Sequence, residues 1–182
     1  MKFNLEKSLE ILRRTPDVLK TLLSGLSEDW VIHNEGGETW SPYNIIGHLV
    51  HGDREDWIPR ARKILGIVAD DRFVPYDRFA QFTESKGKSL QKLLDEFKDL
   101  REESLKILIS FNIDDEKLKM TGIHPKFGTV TLSQLLSTWV VHDLVHLAQI
   151  SRVMAKQYKE EIGPWIEYFR VMKDTNYAPD FK

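Results

Sequence analysis

Two histidines four residues apart stand in the apolar run "WVVHDLVHLAQI", residues 139–150. Leu135, Trp139, His142 and His146 recur at steps of four and three, so both imidazoles belong to the buried stripe of one helix. Residues four apart on a helix have Cβ atoms about 5–6 Å apart, close enough for both rings to reach one ion. A buried imidazole without a partner is costly. The spacing therefore indicates half of a metal site.

A third histidine on another helix would complete this site. In the stretch "NIIGHLVHGD", His48 follows Ile45 by three positions and precedes Leu49, so it lies on or beside the buried face of its helix. Gly47 and Gly52 flank it, and each glycine costs a helix about 1 kcal/mol relative to alanine. Glycine at that cost indicates close packing or a ligand nearby. We therefore predict a metal site formed by one histidine of this helix and two of the other.

Two other interpretations of these histidines are open. A single inward histidine is usually a core residue bonded to a carbonyl or a carboxylate, although three of them on two helices favour a metal. The letters "HDLVH" also differ by one methylene from the HExxH motif of zinc proteases, with Asp143 in the place of the base and Glu167 downstream as a candidate ligand. Aspartate is too short for that role. The absence of a Glu-x-x-His motif argues against a carboxylate-bridged two-iron site.

Several polar residues share the helices that carry the candidate ligands. Gln149 lies three residues after the second histidine of the pair, and Asn44 lies one turn before His48. Both are candidates to orient a ligand or water, and an equal alternative is that each bonds its own helix. Asp143 is turned about 100° from the ligands, so we expect it in a salt bridge or behind a metal ligand. We place His51 at the rim of the site or behind its ligands.

Four long helices are needed to bring these residues together. Leucines at steps of four and three mark the first helix. Pro16 interrupts its stripe and should kink it, and Thr15 could instead cap a fresh helix at that point. Ser41 and Pro42 begin the second helix, which Pro59 should bend at its far end.

The third and fourth helices follow a long loop. From Ser89 onward apolar residues recur at steps of three and four while charges occupy the outer face, so the third helix is assigned a structural role only. The fourth begins at Thr131, with Gln134 at capping-box spacing. It should run for about 25 residues, longer than an ordinary globular helix.

Two loops and a terminal segment complete the predicted organisation. Residues 66–88 form a long aromatic loop of the kind that often carries function, although none of its residues has a recognisable chemistry. Residues 112–130 indicate a small hairpin, to which His124 contributes a contact. A short terminal helix follows Gly163, and His33 lies in a solvated loop.

The composition is that of an ordinary globular protein. Of the 182 residues 41% are apolar and 30% are charged, and the net charge of -2 argues against nucleic acid or an anionic membrane as the main partner. Cysteine is absent, which excludes a thiolate nucleophile, a disulfide and a cysteine-ligated metal. The N-terminus is unlike a signal peptide, and no stretch approaches the roughly 20 apolar residues of a membrane span. We expect one cytoplasmic domain over residues 1–182.

These motifs resemble those of the DinB-like family, which includes the YfiT-like metal-dependent hydrolases and the bacillithiol S-transferases. The resemblance covers nearly the whole chain, and its most specific pieces are "GHL" on the second helix and "HDLVH" on the fourth. It implies an all-α fold, an antiparallel four-helix bundle of the DinB/YfiT-like type with a long crossover loop and a short C-terminal helix. It also implies one divalent ion, usually zinc or nickel, on His48, His142 and His146.

The same resemblance implies an enzyme. Characterised members of the family transfer a low-molecular-weight thiol such as bacillithiol to an electrophile, or isomerise maleylpyruvate, and a homodimer is a family-level expectation. We therefore predict a metal-dependent thiol S-transferase or hydrolase that acts on small molecules, with the thiol as a co-substrate. A non-catalytic metal-binding or ligand-binding stress protein is the alternative, and a plain helical scaffold is a weaker one.

Overall fold

A computed structural model describes residues 2–173 of the protein. Four long helical segments pack together as the predicted four-helix bundle. Within this span, every helix falls short of the length and apolar character that crossing a bilayer requires. The long segments are α1 (Leu5–Leu23), α3 (Pro42–Glu55) continued by α4 (Trp57–Ile64), α6 (Leu90–Ser110) and α8 (Leu132–Lys156).

Shorter elements connect these helices and include the predicted hairpin. The shorter elements are α2 (Glu28–Ile32), α5 (Ala80–Glu84), α7 (Asp115–Lys119), β1 (Thr121–His124), β2 (Gly128–Thr131), a 3₁₀ helix (Gly163–Tyr168) and α9 (Arg170–Lys173). The strands β1 and β2 pair antiparallel, with Thr121 opposite Thr131. Nδ1 of His124 accepts the N–H groups of Lys126 and Phe127 at 3.1 and 3.2 Å, which closes the turn. This small sheet corresponds to the hairpin predicted for residues 112–130, and it accompanies an otherwise all-α fold.

Capping boxes begin both helices that carry the candidate ligands. The hydroxyl of Ser41 accepts the N–H of Asn44, and the Asn44 side chain accepts the N–H of Ser41, each at 3.2 Å. Thr131 and Gln134 form the same reciprocal pair at the start of α8, at 3.2 and 2.8 Å. Each box supplies acceptors for two backbone N–H groups that have no hydrogen-bond partner within the first turn. Both predicted starts are confirmed, and α8 contains the expected 25 residues.

The second bundle helix breaks at Asp56, between α3 and α4. Pro59 has no N–H to donate to the carbonyl of Glu55, four residues earlier, and its ring crowds that carbonyl. The backbone is distorted at Asp56, with φ -107° and ψ -66°, and α4 resumes at Trp57. The bend predicted for Pro59 is therefore a break located one turn before it.

The first helix runs without interruption through Pro16. Proline cannot donate to the carbonyl of Leu12, four residues earlier, so that carbonyl needs another donor. It accepts an N–H of the Arg101 side chain on α6 at 2.9 Å. The hydroxyl of Thr15 donates to the carbonyl of Ile11 at 3.1 Å, inside the helix. The alternative of a fresh helix start capped by Thr15 is therefore wrong.

Two apolar clusters form the core, and a polar layer separates them. One cluster contains Trp57 and Trp139, and the other contains Leu19 and Phe97. Along each long helix, buried polar residues lie between the members of one cluster and those of the other. These buried polar residues include Thr15, Asp53, Arg101, Ser104, Asp143 and His146; His48 precedes Asp53 by five residues on α3, between Ile46 and Leu49 of the second cluster. The candidate ligands therefore belong to a layer at mid-bundle.

Candidate metal centre

Three histidines from two helices meet in this polar layer. Nε2 of His48 on α3 lies 3.0 Å from Nε2 of His142 on α8, and Nε2 of His146 lies 3.1 Å from the same atom. The three candidate ligand atoms all lie within 4.8 Å of one another. His48 and His146 are buried, whereas His142 is partly exposed. The structure thus brings together the three residues predicted from the sequence.

Burial keeps the three imidazoles neutral. It lowers the pKa of His48 and of His142 well below the usual value, and the nearby His146 adds to the effect at both. Burial also lowers the pKa of His146, against a hydrogen bond to Gln149 that raises it. Nδ1 of His146 lies 2.8 Å from Oε1 of Gln149, an oxygen that accepts and does not donate. Nδ1 therefore carries the proton, and Nε2 of His146 presents a lone pair to the cluster.

This set of donors fits a divalent cation. Neutral nitrogens that face one another repel, and a single N–H on His142 serves only one of its two neighbours at a time. The pairs His48–His142 and His142–His146, at 3.0 and 3.1 Å, are each close enough for both nitrogens to lie about 2.1 Å from one ion, the usual zinc–imidazole distance. Imidazole is a suitable ligand for zinc and for nickel. His48, His142 and His146 are the residues that would hold the ion.

Aromatic rings surround the three histidines. The ring centroid of Trp40 lies 4.9 Å from that of His48, and the centroid of Trp57 lies 5.1 Å from that of His142. The hydroxyl of Tyr76, from the crossover loop, lies 3.5 Å from Nδ1 of His48. This role of Tyr76 was not predicted, because spacing in a loop does not reveal which aromatic residue turns inward.

His51 is buried, which excludes the rim and leaves the second predicted position, behind the ligands. It is 5% exposed, and its Nδ1 lies 3.1 Å from the carboxylate of Glu84 on α5. Arg54 donates to the same carboxylate at 2.7 Å, and the His51 ring packs against Tyr76 with centroids 5.0 Å apart. Together with Asp56, these residues His51, Tyr76 and Glu84 line a cavity of about 370 Å³. Tyr76 lines this cavity and also contacts the ring of His48.

The two predicted orienting residues have different surroundings. Gln149 lies against His146, as described above. The side-chain oxygen of Asn44 accepts from both the backbone N–H and the hydroxyl of Ser41, at 3.2 and 3.0 Å. Asn44 thus bonds the start of its own helix, which is the local role that the sequence analysis weighed equally. Of these two residues, only Gln149 is placed to orient one of the clustered histidines.

The zinc-protease interpretation of "HDLVH" is wrong. Asp143, which that mechanism needs as a base, is fully buried and pairs with Arg101 at 2.6 Å. This contact is the salt bridge that its position on the helix predicted. Glu167, the candidate ligand of that interpretation, is exposed and bonds Lys173 at 2.6 Å. The third member of the histidine cluster is instead His48.

A sequence model of the DinB superfamily matches residues 11–150 of the chain. The matched region runs from α1 into α8 and includes all three clustered histidines. The chain belongs to the DinB superfamily. No curated protein sequence matches it.

Solved structures with the same bundle support this assignment of the fold. YfiT from Bacillus subtilis, described as a probable metal-dependent hydrolase with an unusual four-helix bundle topology, superposes with a TM-score of 0.68 at 18% identity and 87% coverage of each chain. The four-helix bundle protein TT2238 gives a TM-score of 0.58 at 18% identity, covering 81% of this chain and 98% of that one. A mycothiol-dependent maleylpyruvate isomerase gives 0.55 at 15% identity, and the match covers 81% of this chain and 61% of the isomerase. At these identities the comparisons establish the DinB-like fold.

Proposed function

We propose that this protein is a metal-dependent enzyme that transfers a low-molecular-weight thiol to a small electrophile, or hydrolyses a small molecule, at the three-histidine site. The observation that carries the proposal is the convergence of three neutral imidazole nitrogens, with no fourth His, Asp or Glu in the group that the described residues form. Structural zinc sites are closed by four protein ligands, whereas catalytic sites with three protein ligands keep a position for water or substrate.

The three ligands would leave the charge of a zinc or nickel ion uncompensated, because all of them are neutral. Such an ion supplies Lewis-acid charge that favours the deprotonated form of a bound thiol or water. Gln149 holds the proton of His146 on Nδ1, which orients that ring toward the centre. Trp40 and Tyr76 pack against the His48 ring and limit the access of water on that side.

The space beside the site suits a small molecule. The cavity of about 370 Å³ lined by His51, Tyr76 and Glu84 falls within the range of about 300–1,000 Å³ typical of small-ligand pockets. Both proposed chemistries have counterparts among proteins of the same fold, since one neighbour is described as a probable metal-dependent hydrolase and another as mycothiol-dependent. A small molecule is accordingly the partner that we propose.

Metal content and turnover test this proposal together. Untagged protein would be analysed for metal, then incubated with bacillithiol, glutathione or cysteine and a chlorinated aromatic electrophile, and separately with a panel of esters and amides. We expect one divalent ion per chain and turnover that is lost in His142→Ala. His33→Ala is the matched control, because His33 is exposed and lies outside the cluster.

The outcomes separate the proposal from its alternatives. Turnover by the wild type and the His33→Ala variant but not by His142→Ala supports the enzyme. Tight metal binding without turnover over the whole panel favours a non-catalytic metal-binding protein. Protein that contains no stoichiometric metal, with a melting temperature indifferent to chelator, favours a plain helical scaffold.

A further inference from the structure

Arg101 lies at the centre of the bundle on α6, a helix that carries none of the clustered histidines. It is 1% exposed. Its Cζ lies 4.8 Å from the ring centroid of Phe97 and 5.1 Å from that of Trp139, so aromatic rings pack against the guanidinium. A charged side chain is almost never buried to this extent unless it is paired. The assignment of a purely structural role to α6 overlooked this residue, although Arg101 continues the buried stripe four positions after Phe97.

All five N–H groups of the Arg101 guanidinium have acceptors. Nε and Nη2 donate to the carboxylate of Asp53 at 2.8 and 3.1 Å. Nη1 and Nη2 donate to the carboxylate of Asp143 at 2.6 and 3.0 Å. The second N–H of Nη1 goes to the carbonyl of Leu12, the group that Pro16 leaves without a helical donor. One side chain on α6 therefore also binds α1, α3 and α8.

Both carboxylates belong to the helices that carry the candidate metal ligands. Asp53 lies five residues after His48 on α3, and Asp143 directly follows His142 on α8. A slide of one helix against the other by one residue is about 1.5 Å, whereas metal–ligand distances vary by only about 0.2 Å. The bidentate pairing at each carboxylate resists such a slide, because a guanidinium is planar and its donors have fixed directions.

The charges in this layer also suit a cation above it. Burial raises the pKa of Asp53 to about 6, and the adjacent Arg101 guanidinium acts in the opposite direction and favours the carboxylate. One guanidinium and two carboxylates leave an excess of negative charge in the buried layer. Asp143 directly follows His142 and its charge acts on His146, so part of this negative charge lies close to the clustered histidines.

We propose that Arg101 is a positioning residue of the metal centre: it binds Asp53 and Asp143 at once and so holds His48 of α3 in register with the two histidines of α8. The inference rests on the proposed function, since it requires that the three histidines bind metal. The proposal also explains two features that lie outside the metal site. The helix α6 supplies Arg101, and Pro16 leaves the Leu12 carbonyl open to accept an N–H of Arg101. A lysine at this position keeps the charge but cannot form two bidentate pairs.

Cobalt(II) provides a readout that stability alone does not change. Its visible spectrum reports the coordination geometry, and competition with a chelator reports the affinity. The two test variants are Arg101→Lys and Asp53→Asn, the second of which keeps the pair between Arg101 and Asp143. Leu93→Ala is the matched control, because Leu93 is fully buried on the same helix, two turns before Arg101, in one of the apolar clusters.

We expect both test variants to bind cobalt at least about tenfold more weakly than the wild type and to show an altered spectrum, as residues behind metal ligands commonly do. Leu93→Ala should melt at a lower temperature and yet keep the wild-type spectrum and affinity. Wild-type affinity and spectrum in Arg101→Lys and Asp53→Asn would overturn the inference. So would an equal loss of affinity in Leu93→Ala, since a general loss of stability would then be the cause. A wild type that binds no cobalt would instead refute the proposed function itself, along with this inference.

Discussion

At the scale of single residues, the neutral state of His48 links the metal site to acid stability. Burial and the nearby His146 hold the pKa of His48 well below the usual value of 6.5. Below pH 6.5 the unfolded chain therefore binds a proton that the folded chain does not. Stability contributed by the neutral ring is fully present above that pH and is lost as the pH falls.

We predict that His48→Gln removes this part of the acid sensitivity. The difference in unfolding free energy between pH 7.5 and pH 5.5 should shrink by an amount on the order of 1 kcal/mol. Urea unfolding in the presence of a chelator measures it without interference from metal. His33→Gln, at an exposed position, should keep the wild-type pH dependence. An unchanged pH dependence in His48→Gln would mean that His48 is protonated equally easily in both states.

Gln149 determines which nitrogen of His146 faces the centre. Removing its oxygen, which lies 2.8 Å from Nδ1 of His146, frees the ring to turn and to move its proton. We predict that Gln149→Leu lowers the metal affinity about tenfold, whereas Gln149→Glu, which keeps an acceptor there, does not. Competition with a chromophoric chelator measures both. Equal affinities of the leucine variant and the wild type would contradict this role.

At the scale of secondary-structure elements, the crossover between α4 and α6 is part of the site. It supplies Tyr76 to His48, and its short helix α5 supplies Glu84 to His51. The helix α5 packs closely on α3. A Cβ atom added at Gly47 would lie only 2.4 Å from the hydroxyl of Ser85, the residue directly after α5. The glycine next to His48 thus reflects close packing of two helices, one of the two reasons that the sequence analysis considered.

We predict opposite effects of alanine at the two glycines of α3. At Gly47 the added methyl group would meet Ser85 at 2.4 Å and the buried Gln81 at 2.8 Å, so we expect Gly47→Ala to lower the unfolding free energy by about 1 kcal/mol despite its better helix propensity. At Gly52 the nearest atoms lie at 3.6 and 3.8 Å, an ordinary contact. There the propensity gain should raise stability by up to about 1 kcal/mol. Chemical denaturation of both variants tests this, and changes of the same sign would disprove the packing difference.

At the scale of the whole molecule, directional polar contacts divide an otherwise apolar bundle. Apolar packing on either side of the polar layer holds the helices together, but the hydrophobic effect does not specify direction. The hydrogen bonds of Arg101 and the contacts among the clustered histidines, in contrast, form only at particular directions and distances. Leucine, isoleucine and tryptophan side chains therefore hold the helices together, while a few buried charges set the register of one helix against another.

We predict that a bound metal stabilises the entire bundle, because its ligands come from two helices far apart in sequence. At a free metal concentration of about 100 times Kd, binding to the folded state contributes about 2.7 kcal/mol. For a chain of this size that corresponds to a rise in Tm of roughly 5–10 °C. Calorimetry with and without chelator measures the rise. His146→Ala should lose it, and a wild-type Tm that is indifferent to chelator would rule out the linkage.

Local features of the fold were predictable from the sequence. The helix stripes, the cap at Ser41, the capping box at Thr131 and the inward positions of His142 and His146 depend on residues within one or two turns of each other. Their spacing directly indicates the geometry. The grouping of His48 with the other two histidines was also predictable, because all three lie on buried stripes and the motifs around them resemble those of the DinB-like family. The identity of the residues around that meeting point was not.

Tertiary structure alone decided which polar residues support the site. Asn44 and Gln149 looked equivalent in sequence, but one bonds its helix start and the other bonds His146. Arg101 reaches Asp53 across 48 positions and Asp143 across 42, and Tyr76 approaches His48 across 28. Such pairs depend on how whole helices and a long loop pack together, and periodicity along one helix contains no information about the distance between two side chains on different elements. The sequence determined which faces are buried, and the packing determined what those faces touch.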